Sequence, residues 1–227
     1  CYIQSTRMCL IMSSTLENNF GYSGAGIYIS SGGLIIVNTK FLNNHGGNYG
    51  GGCHLRGTVC LIMNSSFESN SANAGGGIAI FNWKVVIKNT KFVSNNAKRG
   101  SGGGCFMHQL IVSLIVNSSF ENHFAKSKGG AVKVERAIKI MVIKSIFVNN
   151  VAVKNIYSGA MDLCEIKVLI CSISQYLGNY GIQASDCLYL TEVYNVTIMK
   201  SKVSEIQATG MLGHRYINLP DYFLILY

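Results

Sequence analysis

Leu34 to Asn44 reads LIIVNTKFLNN, and this stretch is not singular. It returns as CLIMNSSFESN from Cys60 to Asn70, as VVIKNTKFVSN from Val85 to Asn95 and as SLIVNSSFENH from Ser113 to His123. Looser copies are CLIMSSTLENN from Cys9 to Asn19 and IMVIKSIFVNN from Ile140 to Asn150. The anchors Leu16, Phe41, Phe67, Phe92, Phe120 and Phe147 lie 25, 26, 25, 28 and 27 residues apart. A glycine motif falls between them: GAGIYI at Gly24, GGGCHL at Gly50, GGGIAI at Gly75, GGGCFM at Gly102, GGAVKV at Gly129 and SGAMDL at Ser158. A fixed period of this size marks a stacked repeat, in which each copy buries its apolar face only against its neighbours.

Each copy holds two β-like runs, one rich in Ile and Val before the Phe and one after the glycines. Both are too short and too β-branched for amphipathic helices. After the glycines, Ile27/Ile29, Cys53/Leu55, Ile78/Ile80, Cys105/Met107, Val132/Val134 and Met161/Leu163 alternate onto one face. Tyr28, His54, Ala79, Phe106, Lys133 and Asp162 fall on the other. Stacking places each strand parallel to its equivalent about 4.8 Å away. The expected fold is therefore all-β: a right-handed parallel β-helix (β-solenoid) of about eight coils, ~26 residues per coil, its hand taken from the crossover rule. Residues 1–163 form the regular coils. Residues 164–227 read as degenerate coils ending in an apolar tail, cap or cut edge, within the same domain.

With Phe inward, the residue five before it is Ile11, Ile36, Ile62, Ile87, Ile115 or Val142, an inward β-branched column. Three before it stand Asn38, Asn64, Asn89 and Asn117, which predicts an internal ladder of asparagine amides bonding from coil to coil. Copies alternate between an NTKF type and an NSSFE type, so the duplicated unit is two coils, ~52 residues. That alternation keeps Glu17, Glu68 and Glu121 two strands apart and limits their repulsion.

The motifs carry a resemblance. Gly129-Gly130-Ala131-Val132 together with Phe41-Leu42-Asn43-Asn44, Phe67-Glu68-Ser69-Asn70, Phe92-Val93-Ser94-Asn95 and Phe147-Val148-Asn149-Asn150 resembles the GGA(I/V/L) and FxxN repeats of polymorphic outer-membrane proteins. More broadly the chain is similar to the pectate-lyase-like right-handed β-helix. His123 departs from the pattern, replacing the last Asn. The resemblance spans roughly Cys9 to Leu163 and implies a secreted or surface-displayed passenger used in adhesion.

Composition narrows the function. The 227 residues are 48% apolar and 13% charged, which excludes disorder. Apolar runs are short, so no helical transmembrane segment is expected. A net charge of +9 favours acidic partners such as acidic glycans, but the basic residues are scattered and no nucleic-acid-binding module is present. The eight cysteines include no CxxC pair; most read as buried thiols, with Cys164–Cys171 and Cys1–Cys9 left open as pairs. The chain opens at Cys1 in mid-pattern and reads as a piece of a longer protein or a matured one.

Enzymes on this fold need clustered carboxylates. The three aspartates, Asp162, Asp186 and Asp221, share no repeat column, so no catalytic residue is assigned. No metal or cofactor is expected, because alternation separates Cys53 from His54 and Cys105 from His108. Two surfaces remain. Tyr28, His54, Arg56, Phe81, Phe106, His108 and Lys133 form a candidate ligand face whose rings could stack on sugars. Leu10, Ile35, Leu61, Val86, Leu114 and Met141 form an apolar outward column, a candidate assembly face for other chains or domains of the same assembly. Sequons fall at Asn64, Asn117 and Asn195; the first two lie in the asparagine ladder, leaving Asn195 as the better acceptor. The expected function is a non-enzymatic structural or adhesive segment of a secreted or cell-surface protein. The alternatives are a carbohydrate-binding or polysaccharide-degrading protein on the same fold and a filament subunit stacking end to end.

Overall fold

The computed structural model describes residues 1–4, 7–153, 158–181, 187–202, 206–209 and 215–218. They form an all-β parallel solenoid of about seven turns of ~27 residues. The sequence period implied about eight coils. In the central turns the glycine-side strand of one copy runs without a break into the Ile/Val run of the next copy. The result is a single strand of 11 or 12 residues, as in Cys53–Met63, Cys105–Val116 and Met161–Ser172. A three-residue strand around each Phe and a two-residue strand before the glycines complete the turn, giving three parallel sheets of 12, 7 and 7 strands.

Corners are set by residues in the left-handed region. Asn38, Asn64, Asn89 and Asn117 have φ between 47° and 49°, and Asn43, Ser69, Ser94 and Asn122 between 52° and 58°. Asparagine tolerates this conformation better than most residues with a Cβ. A third bend divides the long strands at Gln109, Arg136, Glu165 and Glu192, with φ between 53° and 60°. Gly102 is required at the fourth corner: its φ is 68°, and an added Cβ would stand 2.3 Å from the Cys105 carbonyl oxygen.

The core is a set of columns. Phe41, Phe67, Phe92, Phe120, Phe147 and Tyr176 stack nearly parallel, with centroids 4.5 to 4.9 Å apart and planes within 2° to 6°. Ile36, Ile62, Ile87, Ile115 and Val142 are fully buried, as are Cys53, Cys60, Cys105 and Cys171. All eight cysteines are free thiols. Burial pushes the Cys53 and Cys171 thiols up to about 12, as expected of inert core residues.

The asparagine ladder sits elsewhere than expected. Asn89 Nδ2 donates to Asn64 Oδ1 at 3.1 Å and Asn117 Nδ2 to Asn89 Oδ1 at 2.9 Å, but this column, Asn38 included, is exposed at a corner and not internal. The buried ladder is built from the last Asn of each FxxN. Asn44 Nδ2 donates to Asn70 Oδ1 at 2.9 Å, Asn70 to Asn95 at 3.0 Å, and Asn150 to Asn179 at 2.8 Å. Each of these side chains also donates to the carbonyl of the preceding turn's anchor, as Asn70 does to Phe41 at 3.0 Å. A hydroxyl ladder runs beside the exposed asparagines: Thr90 N–H donates to Ser118 Oγ, Ser118 N–H to Ser145 Oγ and Ser145 N–H to Ser174 Oγ.

The two-coil alternation sets opposite charges on adjacent coils. Lys40 pairs with Glu68 at 3.0 Å and Lys91 with Glu121 at 3.9 Å, each joining an NTKF coil to the following NSSFE coil. Partial burial works against the Glu68 charge, but hydrogen bonds from Lys40 and Ser66 outweigh it and hold the carboxyl below its usual range.

Strand pairing continues past Cys164 through Leu188–Met199, and Arg215–Asn218 pairs with that strand. The remainder of the apolar tail, 219–227, lies outside the described residues, as do Asp186 and Asp221.

Candidate functional site

The face opposite the core on the glycine-side strand carries the residues expected to meet a ligand. Backbone register aligns Tyr2, Tyr28, His54, Ala79, Phe106, Lys133, Asp162 and Tyr189 in one column, one residue per turn. Arg56, Phe81, His108, Glu135 and Cys164 align in the next. Strand alternation places both columns outward, yet they are not an open solvated ladder. His54 is 4% exposed, Lys133 0% and Asp162 1%. Over His54 the cover is a bulky corner residue, in register with Ala74 of the next turn. Tyr49, on the corner before Gly50, folds its ring over the column, 5.5 Å from His54, 5.1 Å and edge-on to Phe81, and 6.1 Å from Phe106.

The face therefore divides in two. At one end Tyr28, His54, Arg56 and Phe81 converge on a groove of about 500 Å³, completed by Phe20, Tyr22 and Tyr49, which is within the size range of small-molecule sites. Tyr2 and Tyr28 stack at 5.2 Å, Tyr28 and His54 lie 4.8 Å apart, and the Arg56 guanidinium sits 5.6 Å over the Phe81 ring. Both ring nitrogens of His54 are buried without a hydrogen-bond partner. Burial first, and the Arg56 charge second, lower its pKa to about 4, so at neutral pH the ring is uncharged and offers one donor and one acceptor. Among the described residues no carboxylate lines this groove.

At the other end Lys133 is fully enclosed and donates from Nζ to Asp162 Oδ1, with Glu135 Oε1 3.6 Å away. His108 lies between the two ends, 5.8 Å from Phe81. The sequence placed Lys133 on this face but gave Asp162 no role; their register on consecutive glycine motifs was the available signal.

The second face is apolar. Leu10, Ile35, Leu61, Val86, Leu114 and Met141 align in register, continuing to Ile170. Leu10 is 58% exposed and the others are half-buried. Met12, Val37, Met63, Val116 and Ile143 run parallel to them, interrupted by the exposed Lys88.

Asn195 is exposed in the strand Leu188–Met199, with Nδ2 donating to the Lys167 carbonyl at 3.3 Å. Among the described residues no three His, Cys, Asp or Glu side chains converge as a metal site, and no helix is long and apolar enough to cross a membrane. Comparison of the chain with protein-family models, with curated proteins and with solved structures found no match.

Proposed function

We propose that the chain is a non-enzymatic structural or adhesive segment of a secreted or cell-surface protein, and that its apolar face docks against other protein chains or domains of the same assembly. The carrying observation is the paired apolar column, Leu10 to Ile170 beside Met12 to Ile143. The first row runs over seven turns and the second over six, broken at Lys88, making a strip on the order of 30 Å long. Scattered exposed apolar residues need no partner, but a contiguous strip is the usual mark of an interface. The short GGA- and FxxN-type motifs support the finer reading, an adhesive passenger like those of polymorphic outer-membrane proteins, and with it the extracellular location.

A photo-crosslinking residue at Leu61 or Leu114, introduced in the source cells, tests the reading. Protein adducts from both sites, absent from the same probe at the exposed Lys126, support it. Adducts to glycan alone, or none, count against it.

The aromatic groove favours a second reading, recognition of carbohydrate. Stacked tyrosines, a neutral His54 with unmet hydrogen-bonding capacity and Arg56 suit a hydroxylated ring carrying negative charge. Calorimetric titration with acidic oligosaccharides checks it, with Tyr28→Ala expected to abolish any heat of binding; equal heat from that variant removes the groove as the site.

A further inference from the structure

We propose that Lys133 and Asp162 are joined by a side-chain amide, an intramolecular cross-link between consecutive coils of the rod. The two residues are direct partners in parallel register on Val132–Ile143 and Met161–Ser172, 29 positions apart in sequence. Both side chains are enclosed, and Lys133 Nζ already meets Asp162 Oδ1. In register, Phe106 flanks Lys133 on one side and Tyr189 flanks Asp162 on the other. Glu135, half-exposed, holds Oε1 3.6 Å from the same Nζ.

A buried ion pair is stabilising only when every oxygen and proton is satisfied. Here Asp162 Oδ2 is buried without a partner. Burial raises the Asp162 pKa, with the Lys133 charge opposing it. Passing one proton from Nζ to the carboxyl leaves an uncharged amine beside an uncharged acid, the form that a low-dielectric site favours. Such an amine is a nucleophile held against a carboxyl carbon, with the orientation already fixed by two strands. Its lone pair attacks Cγ and forms the N–C bond. Glu135 accepts the proton released from Nζ and returns it to the hydroxyl formed by the first transfer, the bond from Cγ to that oxygen breaks, and one water leaves. The sum is amine plus carboxylic acid giving amide plus water, with no redox partner.

Exposed ion pairs among the described residues serve as internal controls. Lys40 with Glu68 and Lys91 with Glu121 also bridge coils, but both pairs are substantially exposed, where water solvates the ions and opposes condensation. Joining residues 29 apart closes a loop in the unfolded chain, as a disulfide does, and does so in a rod whose cysteines are all free.

Intact-mass measurement on the folded chain is the test, followed by proteolysis and fragment mapping. The expected chain is lighter than its sequence by one water and yields a branched fragment joining the Lys133 and Asp162 peptides. Glu135→Gln, at a half-exposed position, is expected to fold and to regain the full mass; Lys133→Met is expected to regain it as well. A wild-type chain of full mass overturns the proposal. So does a water loss that persists in Lys133→Met, which would place the dehydration elsewhere, or a map that joins Lys133 to any other residue.

Discussion

The backbone N–H of Asn95 donates to Nδ1 of His123 at 3.0 Å, in the place where every neighbouring turn uses an asparagine Oδ1. His123 thus keeps the backbone step of the ladder and loses the side-chain steps. An asparagine there would also donate to Asn150 Oδ1 and to the Phe92 carbonyl, as Asn70 does to its own neighbours. His123→Asn is therefore expected to stabilise the rod by about 1 kcal/mol for each bond gained. A raised urea midpoint at pH 8 checks it.

The same contact sets an acid limit. Burial drives the His123 pKa down to about 3 and that of His54 to about 4. Both folded values lie below the ordinary value of about 6.5 that applies to the unfolded chain. Between those limits the unfolded chain binds more protons, so stability rises with pH through this window. The histidine contribution is complete above about pH 6.5 and is lost as pH falls toward 3 to 4. Urea midpoints measured from pH 8 to 4 should fall for the wild type. They should fall less for His123→Asn, with the gap between the two widening on acidification.

Ile173 occupies the corner position held elsewhere by Asn38, Asn64, Asn89 and Asn117, with φ of 53° and 48% exposure. A β-branched side chain is strained there, and little of it is buried in return. Ile173→Asn is expected to stabilise by about 1 kcal/mol, read as an upward shift in thermal midpoint; an unchanged or lower midpoint contradicts the strain argument.

Phe92 lies mid-stack, between Phe67 at 4.9 Å and Phe120 at 4.6 Å. Phe92→Ala opens a void that neighbouring turns cannot close without losing their own strand register. A loss of about 3–5 kcal/mol is expected from denaturant unfolding. Phe92→Leu should cost clearly less, because it keeps most of the volume.

Lys40 and Glu68 are both partly exposed, so their pair is worth little alone, about 0.2–1 kcal/mol. Lys40→Glu should lower stability slightly, and the charge swap Lys40→Glu with Glu68→Lys should restore it. Both differences should shrink in high salt. A salt-independent difference would assign the effect to packing.

The period, the parallel stacking and the inward columns were legible because each turn repeats the same burial at the same position. Which asparagine lies inside was not. Alternation by two holds only along a continuous strand, and a left-handed residue resets it. Asn43, with φ of 52°, turns the chain between Phe41 and Asn44, so both face the core at an odd spacing. Ile36 and Phe41, five apart and both inward, carried the same clue to a corner at Asn38. The closing of the ligand face escaped the sequence for a different reason. Tyr49 is a large ring in a column where the adjoining turns hold Ser23 and Ala74, and the Lys133–Asp162 pair joins two unlike copies. Sites of this kind are made where the repeats differ, and a consensus averages those differences away.

The most direct measurement is cryo-electron microscopy of the intact source protein in its native assembly, resolved well enough to see what lies on the Leu10–Met141 face. Ordered protein density seated on the in-register positions Ile35, Leu61, Val86 and Leu114 is the predicted result. That face bare to solvent, with glycan ordered against Tyr28 and His54 instead, would contradict the assembly reading and move recognition of carbohydrate into its place.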